Sequence, residues 1–230
     1  MVIGNGLIAH KFSSYNTDQS KIIFASGVSN SNNTDKEKFN REFKLLQYTV
    51  NSHPGKTIVY FSTCSIDDYD LTNSPYVIHK IDMEDFIKKN ASTYLIFRIS
   101  NIAGISNNPY TLLNYFIFNI LQNHPLEIWK NASRNLIGID DVFTIADYIL
   151  LENKVWNSTI NIANSENYTI PYIISQIELH FGKKAVYEEI DRGCNYKIDI
   201  SLIEPLIKKL NIKFDDDYLR ELLRQYYHSK

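Results

Sequence analysis

The sequence predicts an α/β protein, a parallel sheet with helices covering both faces. Two observations carry that prediction. Apolar runs and helical stretches alternate with short connections between them, and hydroxyl residues stand at the carboxyl end of a buried strand, where an open parallel sheet places its ligands. At 230 residues the chain can bury one good core. A main body is expected over 1–165, with an excursion at about 105–133, and a small lobe over 166–230.

Taken in order, Met1-Val2-Ile3 reads as a short strand and Gly6 to about Tyr15 as a helix. Lys21-Ile22-Ile23-Phe24-Ala25 is a second apolar strand, ending in Ser26-Gly27. The polar stretch Ser29-Asn30-Ser31-Asn32-Asn33 is a loop, and Thr34 caps a helix running to about Asn51. Lys56 to Phe61 reads as a buried strand with Ser62 and Thr63 at its carboxyl end. Ser74 suits a helix cap and Pro75 a first turn, opening a helix to about Asn90. Tyr94 to Arg98 is the next strand. Beyond Gly104 the pattern loosens into helices at Tyr110–Gln122, Asp141–Leu151, Ile170–Phe181 and Asp215–Tyr227. The last carries Tyr218, Leu222 and Tyr226 at helical spacing, a stripe that reads as core or dimer contact.

Composition excludes several classes. A net charge of −2 gives no basic face for a nucleic acid. No apolar run approaches a membrane span. Two cysteines, Cys64 and Cys194, make no disulfide framework and point to a reducing compartment. The six histidines show no paired ligand spacing, so no metal site is proposed. A strand at the very start leaves no room for a leader, and a cytoplasmic location is expected.

Five motifs stand in order: Gly4-Asn5-Gly6-Leu7-Ile8-Ala9, Ser62-Thr63, Tyr76-x-x-x-Lys80, Arg98-x-x-Asn101-x-x-Gly104, and Arg134 through Asp140-Asp141. Gly4 and Gly6 permit a tight turn and close approach of backbone N–H groups to a phosphate at the helix start. A second Tyr-x-x-x-Lys, Tyr226/Lys230, lies at the C-terminus and carries no weight. A four-residue step on a helix puts the Tyr76 phenol and the Lys80 ammonium on one face, where the charge would favour phenolate. Asp140-Asp141 reads as helix capping rather than chemistry. Cys64 is read as a small packed residue; as a thiol nucleophile it would need a base, and His79 is the nearest.

This ordered set resembles the extended short-chain dehydrogenase/reductases, in their nucleotide-sugar epimerase/dehydratase branch. Ser62-Thr63, Ser74-Pro75-Tyr76 with Lys80, and Arg98 to Gly104 match that branch's core, and Arg134 to Val142 and Thr159 to Ala163 resemble later segments. The resemblance implies a Rossmann-like fold binding NAD or NADP and a nucleotide sugar. Thr63, Tyr76 and Lys80 would be catalytic, with Ser62 or Ser65 able to take Thr63's place. Gly4, Gly6, Leu7, Ile8, Ser26, Gly27, Tyr76 and Lys80 would hold the cofactor. Ser62, Asn101, Arg134 and Arg192 would hold the substrate. It also implies a homodimer paired through Lys36–Val50 and Pro75–Lys89, and by analogy a part in polysaccharide synthesis.

One departure matters. A dinucleotide fold places an acid roughly 20 residues past its glycines to hold the adenosine ribose. Here the window Phe24 to Ser29 holds neither acid nor arginine. Ile22 to Ser26 resembles the family's fourth strand, so the second and third strands are missing and the adenosine half is truncated. The expected activity is 4-keto reduction or 4-epimerisation of a nucleotide-activated hexose, with a loosely held cofactor tilting the choice towards reduction. A dehydratase is disfavoured because Cys64-Ser65 follow Thr63 where that branch has an Asp-Glu pair. The alternative is a non-catalytic binding or partner subunit with a degenerate Rossmann fold.

Overall fold

A computed structural model describes residues 1–28, 30 and 33–228. Parts of the expected loop at Ser29–Asn33, and Lys230 of the second Tyr-x-x-x-Lys pair, lie outside the described residues. In chain order, β1 is Val2–Ile3, α1 Leu7–Lys11, β2 Lys21–Phe24, α2 Lys36–Ser52, β3 Thr57–Thr63, α3 Pro75–Asn90 and β4 Tyr94–Ile99. Next come β5 (Asn101–Ala103), α4 (Leu112–Leu121), β6 (Leu126–Trp129), β7 (Ser133–Gly138), α5 (Ile139–Glu152) and β8 (Ser158–Ile162). The chain closes with β9 (Asn167–Thr169), α6 (Ile170–Phe181), β10 (Tyr187–Ile190), α7 (Glu204–Lys209) and α8 (Tyr218–Tyr226).

Five of these strands form one sheet in the order β1-β2-β3-β4-β8, every neighbouring pair parallel. Both faces are covered, which is why the central strands are apolar without alternation. Leu46 and Val50 of α2 and Met83 and Ile87 of α3 pack on Ile22, Phe24, Ile58, Tyr60 and Ile96. On the opposite face Phe12 and Tyr15, with Val142, Ile145 and Ile149 of α5, cover Ile23, Val59, Phe61, Leu95 and Phe97.

β1 is the edge of the sheet. It pairs only with β2, and no strand lies beyond it among the described residues, as the departure in the sequence predicts. On its free side the Val2 N–H donates to Asn16 Oδ1 at 3.2 Å, so a side chain blunts the open edge. The steps from β1 to β4 all run the same way across the sheet, yet Phe12 and Tyr15 lie opposite α2 and α3. The β1–β2 connection therefore has the opposite hand from the next two, against the near-uniform rule for such crossovers.

A second core joins Phe116 and Ile120 of α4, Leu136 of β7, Ile173 and Ile177 of α6, and Leu219 and Leu223 of α8. Two small sheets, β5-β7-β9 and β6-β10, brace it. Tyr196, Ile198 and Ile203 return to the main sheet's core.

Three expectations need correction. The helix expected from Gly6 to Tyr15 is α1 followed by a 3₁₀ turn at Ser13–Thr17, because this link must cross straight to the neighbouring strand. Asp35, not Thr34, caps α2, accepting from the N–H groups of Glu37 and Lys38. Gly138 occupies the cap of α5, while Asp140 and Asp141 sit in its first turn. They anchor α8 instead: Asp141 accepts from the Tyr218 hydroxyl at 2.5 Å and Asp140 from Tyr226 at 2.7 Å. The Tyr218–Leu222 stripe is core, as its spacing suggests.

Candidate active site

At the carboxyl ends of β1 to β4 the chain turns into loops that line a cleft of about 1310 Å³. Gly4 makes the first turn possible. Its φ is +129°, and a Cβ there would lie 2.5 Å from the Ala25 carbonyl oxygen. Gly6, Leu7 and Ile8 line the cleft, as do Ser26 and Gly27 from the turn after β2. α1 is short, so its helix dipole adds little to the N–H groups of the turn.

Ser62 and Thr63 end β3, both lining the cleft and mostly buried. Thr63 Oγ1 accepts from the Ser65 N–H at 3.0 Å, which fixes its direction. Tyr76 stands in the first turn of α3, where Ser74 Oγ accepts from the Val77 N–H at 3.2 Å and Pro75 starts the helix. The Tyr76 side chain lines the cleft and makes no hydrogen bond among the described residues.

Lys80 lines the cleft on the same side of α3 as Tyr76, with partners that the motif does not name. Its Nζ lies 5.9 Å from the centre of the Tyr76 ring and is buried beneath the helix. It donates to Glu42 Oε1 at 3.1 Å and to the Tyr60 hydroxyl at 3.0 Å. Burial opposes its charge, but Tyr60 and Glu42 outweigh that and raise the ammonium above its ordinary value. Glu42 shows the converse: burial pushes it up, while Lys80, His79 and the Val28 N–H bring it down to about 2. Glu42 and Tyr60 are site residues the motif reading missed. The spacing of Phe39, Glu42, Leu46 and Thr49 on one face of α2 was the available signal.

Asn101, Arg134, Trp129 and Tyr110 line the same cleft. Asn101 Nδ2 donates to the Asn135 carbonyl at 2.9 Å, so part of its amide serves the β5–β7 junction. Arg134 Nη1 lies 3.6 Å from Asp68 Oδ2. Arg192 is exposed and outside the lining residues; its guanidinium stacks 4.7 Å from the Trp129 ring centre. Asp68, Asp70 and Cys194 bring possible ligand atoms within 4.8 Å of one another, but Arg134 already supplies a cation to Asp68. Cys64 is fully buried with its thiol towards the Arg98 carbonyl, and burial pushes that thiol up, the reverse of what a nucleophile needs. His79 is turned away from it, stacked 4.6 Å from Phe39 with Nε2 3.1 Å from Glu42 Oε2.

No protein-family model matches the chain, and no curated protein matches it by sequence. Solved structures do match. The UDP-glucuronic acid 4-epimerase from Bacillus cereus, in complex with UDP-glucuronic acid and NAD, aligns with a TM-score of 0.67 at 21% identity, covering 91% of this chain and 78% of that one. The UDP-glucose 4-epimerase of Thermotoga maritima, with UDP-glucose, gives 0.61 at 17%, covering 89% and 90%. The UDP-N-acetylglucosamine 4-epimerase of Methanobrevibacter ruminantium M1 gives 0.60 at 20%, covering 81% and 67%. At these identities the likeness is one of fold. The chain has the Rossmann-like fold of nucleotide-sugar epimerases. No helix among the described residues is long and apolar enough to cross a membrane.

Proposed function

We propose that the chain is an NAD(P)-dependent enzyme acting on a nucleotide-activated hexose, by 4-keto reduction or 4-epimerisation. One observation carries the reading: Thr63, Tyr76, Lys80, Asn101 and Arg134 all line a single cleft. The fold neighbours, solved with nucleotide sugars and NAD, support it.

The residues fit the nicotinamide half of the cofactor. Two of the three Lys80 donors are taken by Glu42 and Tyr60, and the third is left for a ribose hydroxyl. Gly27 keeps that approach open, since a Cβ there would stand 3.2 Å from Lys80 Nζ. When bound, the nicotinamide supplies or accepts the hydride. In this reading Tyr76, whose hydroxyl has no hydrogen-bond partner among the described residues, exchanges a proton with the sugar oxygen at the reacting carbon. Thr63, held by its bond to the Ser65 N–H, orients that oxygen. Arg134 faces the diphosphate with a planar guanidinium, Asn101 and Ser62 add polar contacts, and Arg192 stiffens Trp129 at the rim.

The adenosine half has no such fit, because no strand lies beyond β1 among the described residues and the window Phe24 to Ser29 holds no carboxylate. A charged hydrogen bond is worth ~1.5–3 kcal/mol, so its loss weakens the cofactor about 10- to 150-fold. An exchangeable cofactor suits a reductase, which must release it each turnover. The same open edge favours the second reading, a binding or partner subunit. Titrating NADH and NADPH into the protein by fluorescence, then testing nucleotide sugars and their 4-keto forms for turnover, decides between them. No binding at millimolar cofactor supports the subunit. Near-stoichiometric NAD released on denaturing the purified protein would sink the exchangeable cofactor.

A further inference from the structure

We infer that Glu42 is a positioning residue for Lys80, fixing the ammonium at the cleft wall and joining it to the glycine-bearing turn after β2.

Glu42 lies on the inner face of α2 between Phe39 and Leu46, only 4% exposed. A carboxylate in an apolar stripe is costly unless every lone pair is answered. Here both oxygens are answered from two other elements. Oε1 accepts from Lys80 Nζ of α3 at 3.1 Å. Oε2 accepts from the Val28 N–H at 2.8 Å and lies 3.1 Å from His79 Nε2. One side chain thus joins α2, α3 and the turn that carries Ser26 and Gly27. Tyr60, 1% exposed on β3, holds the ammonium from below at 3.0 Å.

The arrangement fits a role at the cleft better than a role in folding. A buried ion pair is commonly replaced by apolar residues without loss of stability, so it is weak as a fold-holding device. This pair borders the cleft rather than the middle of the core. Lys80 and Gly27 both line it, and the missing Gly27 Cβ leaves the space beside Nζ open. Fixing two of three donors leaves the third with one direction.

The inference rests on the proposed function only where the ligand is a cofactor, and the experiment separates the two. Glu42→Gln keeps the shape and removes the charge. In wild-type protein and variant, Lys80 acetylation by acetic anhydride is followed by peptide mapping at one pH, with exposed lysines as internal reference. NADH and NADPH affinities are measured in parallel by fluorescence. Removing the opposite charge should raise the relative acetylation rate of Lys80 by ~10-fold or more. The dinucleotide Kd should rise ~10-fold, as for a lost charged hydrogen bond, and Glu42→Asp should restore both in part. A folded Glu42→Gln protein with unchanged Lys80 labelling and unchanged Kd overturns the inference. If Glu42→Gln does not fold, Glu42→Gln/Lys80→Gln removes both charges. Recovery of folded protein supports the pairing, and failure to recover overturns it by assigning Glu42 to His79 and Val28 alone. Should wild-type protein bind neither dinucleotide, the proposed function fails while the labelling still decides what holds Lys80.

Discussion

Arg98 and Glu84 form a two-pronged ion pair, Nε to Oε1 at 2.9 Å and Nη2 to Oε2 at 2.8 Å. It ties α3, which carries Tyr76 and Lys80, to β4, which leads into Asn101. The motif Arg98-x-x-Asn101-x-x-Gly104 therefore has a structural member at its head. Arg98→Met would leave Glu84 buried without its guanidinium, with Lys88 and the Ser62 hydroxyl beside it. Breaking a buried pair costs about 3 kcal/mol, and urea unfolding should show a loss of that size. A loss under 1 kcal/mol would mean the pair does not carry load.

Gly4→Ala tests the phosphate turn. The substitution forces an L side chain into a left-handed region and against the Ala25 carbonyl. Such strain costs ~1–3 kcal/mol before the clash is added. We expect a loss of at least ~2 kcal/mol together with weaker dinucleotide binding, read by urea unfolding and fluorescence. A variant as stable as wild type would show that the turn can rearrange.

Tyr76→Phe removes a hydroxyl that makes no hydrogen bond among the described residues, so stability should hardly change. Turnover should fall by at least ~10²-fold, the lower end for general acid–base catalysis. Near wild-type turnover would remove Tyr76 from the mechanism.

Stability should fall in acid over a defined window. Glu42 drops from its ordinary 4.5 to about 2, where Lys80 and its hydrogen bonds overcome the opposing effect of burial. Glu84 is lowered as well, burial again opposing and Arg98 prevailing. A carboxyl with a lower value folded than unfolded contributes fully above its unfolded value and loses that contribution as pH falls. Unfolding free energy should thus decline between about pH 4.5 and 2, and Glu42→Gln should flatten the decline. A slope identical in wild type and variant would contradict the assignment.

Assembly is tested by sedimentation. α2 and α3 pack on each other, with Phe43 and Phe86 5.4 Å apart, and Tyr48 and Ile78 exposed. Phe39, Leu46 and Val77 on the same helices are buried in this chain's own packing. We propose that a two-fold dimer forms through these helices, the commonest closed arrangement. Tyr48→Glu should then give a monomer from a dimeric wild type. A wild-type monomer at tens of micromolar would end the proposal.

The sequence by itself determined the elements whose signals are local. α3 was legible because Ser74 and Pro75 mark its start, and it ends at Asn90, about where expected. The apolar strands β2, β3 and β4 were legible from composition, and the loss of two strands from the resemblance of Ile22 to Ser26 to a later strand of the family. β5, β6, β7, β9 and β10 were not, since their apolar residues are few or broken by polar ones and they form only where partners distant in sequence meet them. The site divided the same way. Tyr76 faces the cleft because its place two residues after the Ser74 cap fixes its direction on the first turn. What Lys80 touches was decided by tertiary structure alone, because a buried ammonium takes the nearest carboxylate, and Glu42 arrives from a separate helix. Asp68 reaches Arg134, and Tyr218 reaches Asp141, for that same reason. Periodicity shows that a side chain points inward, and only the packed elements supply what it meets there.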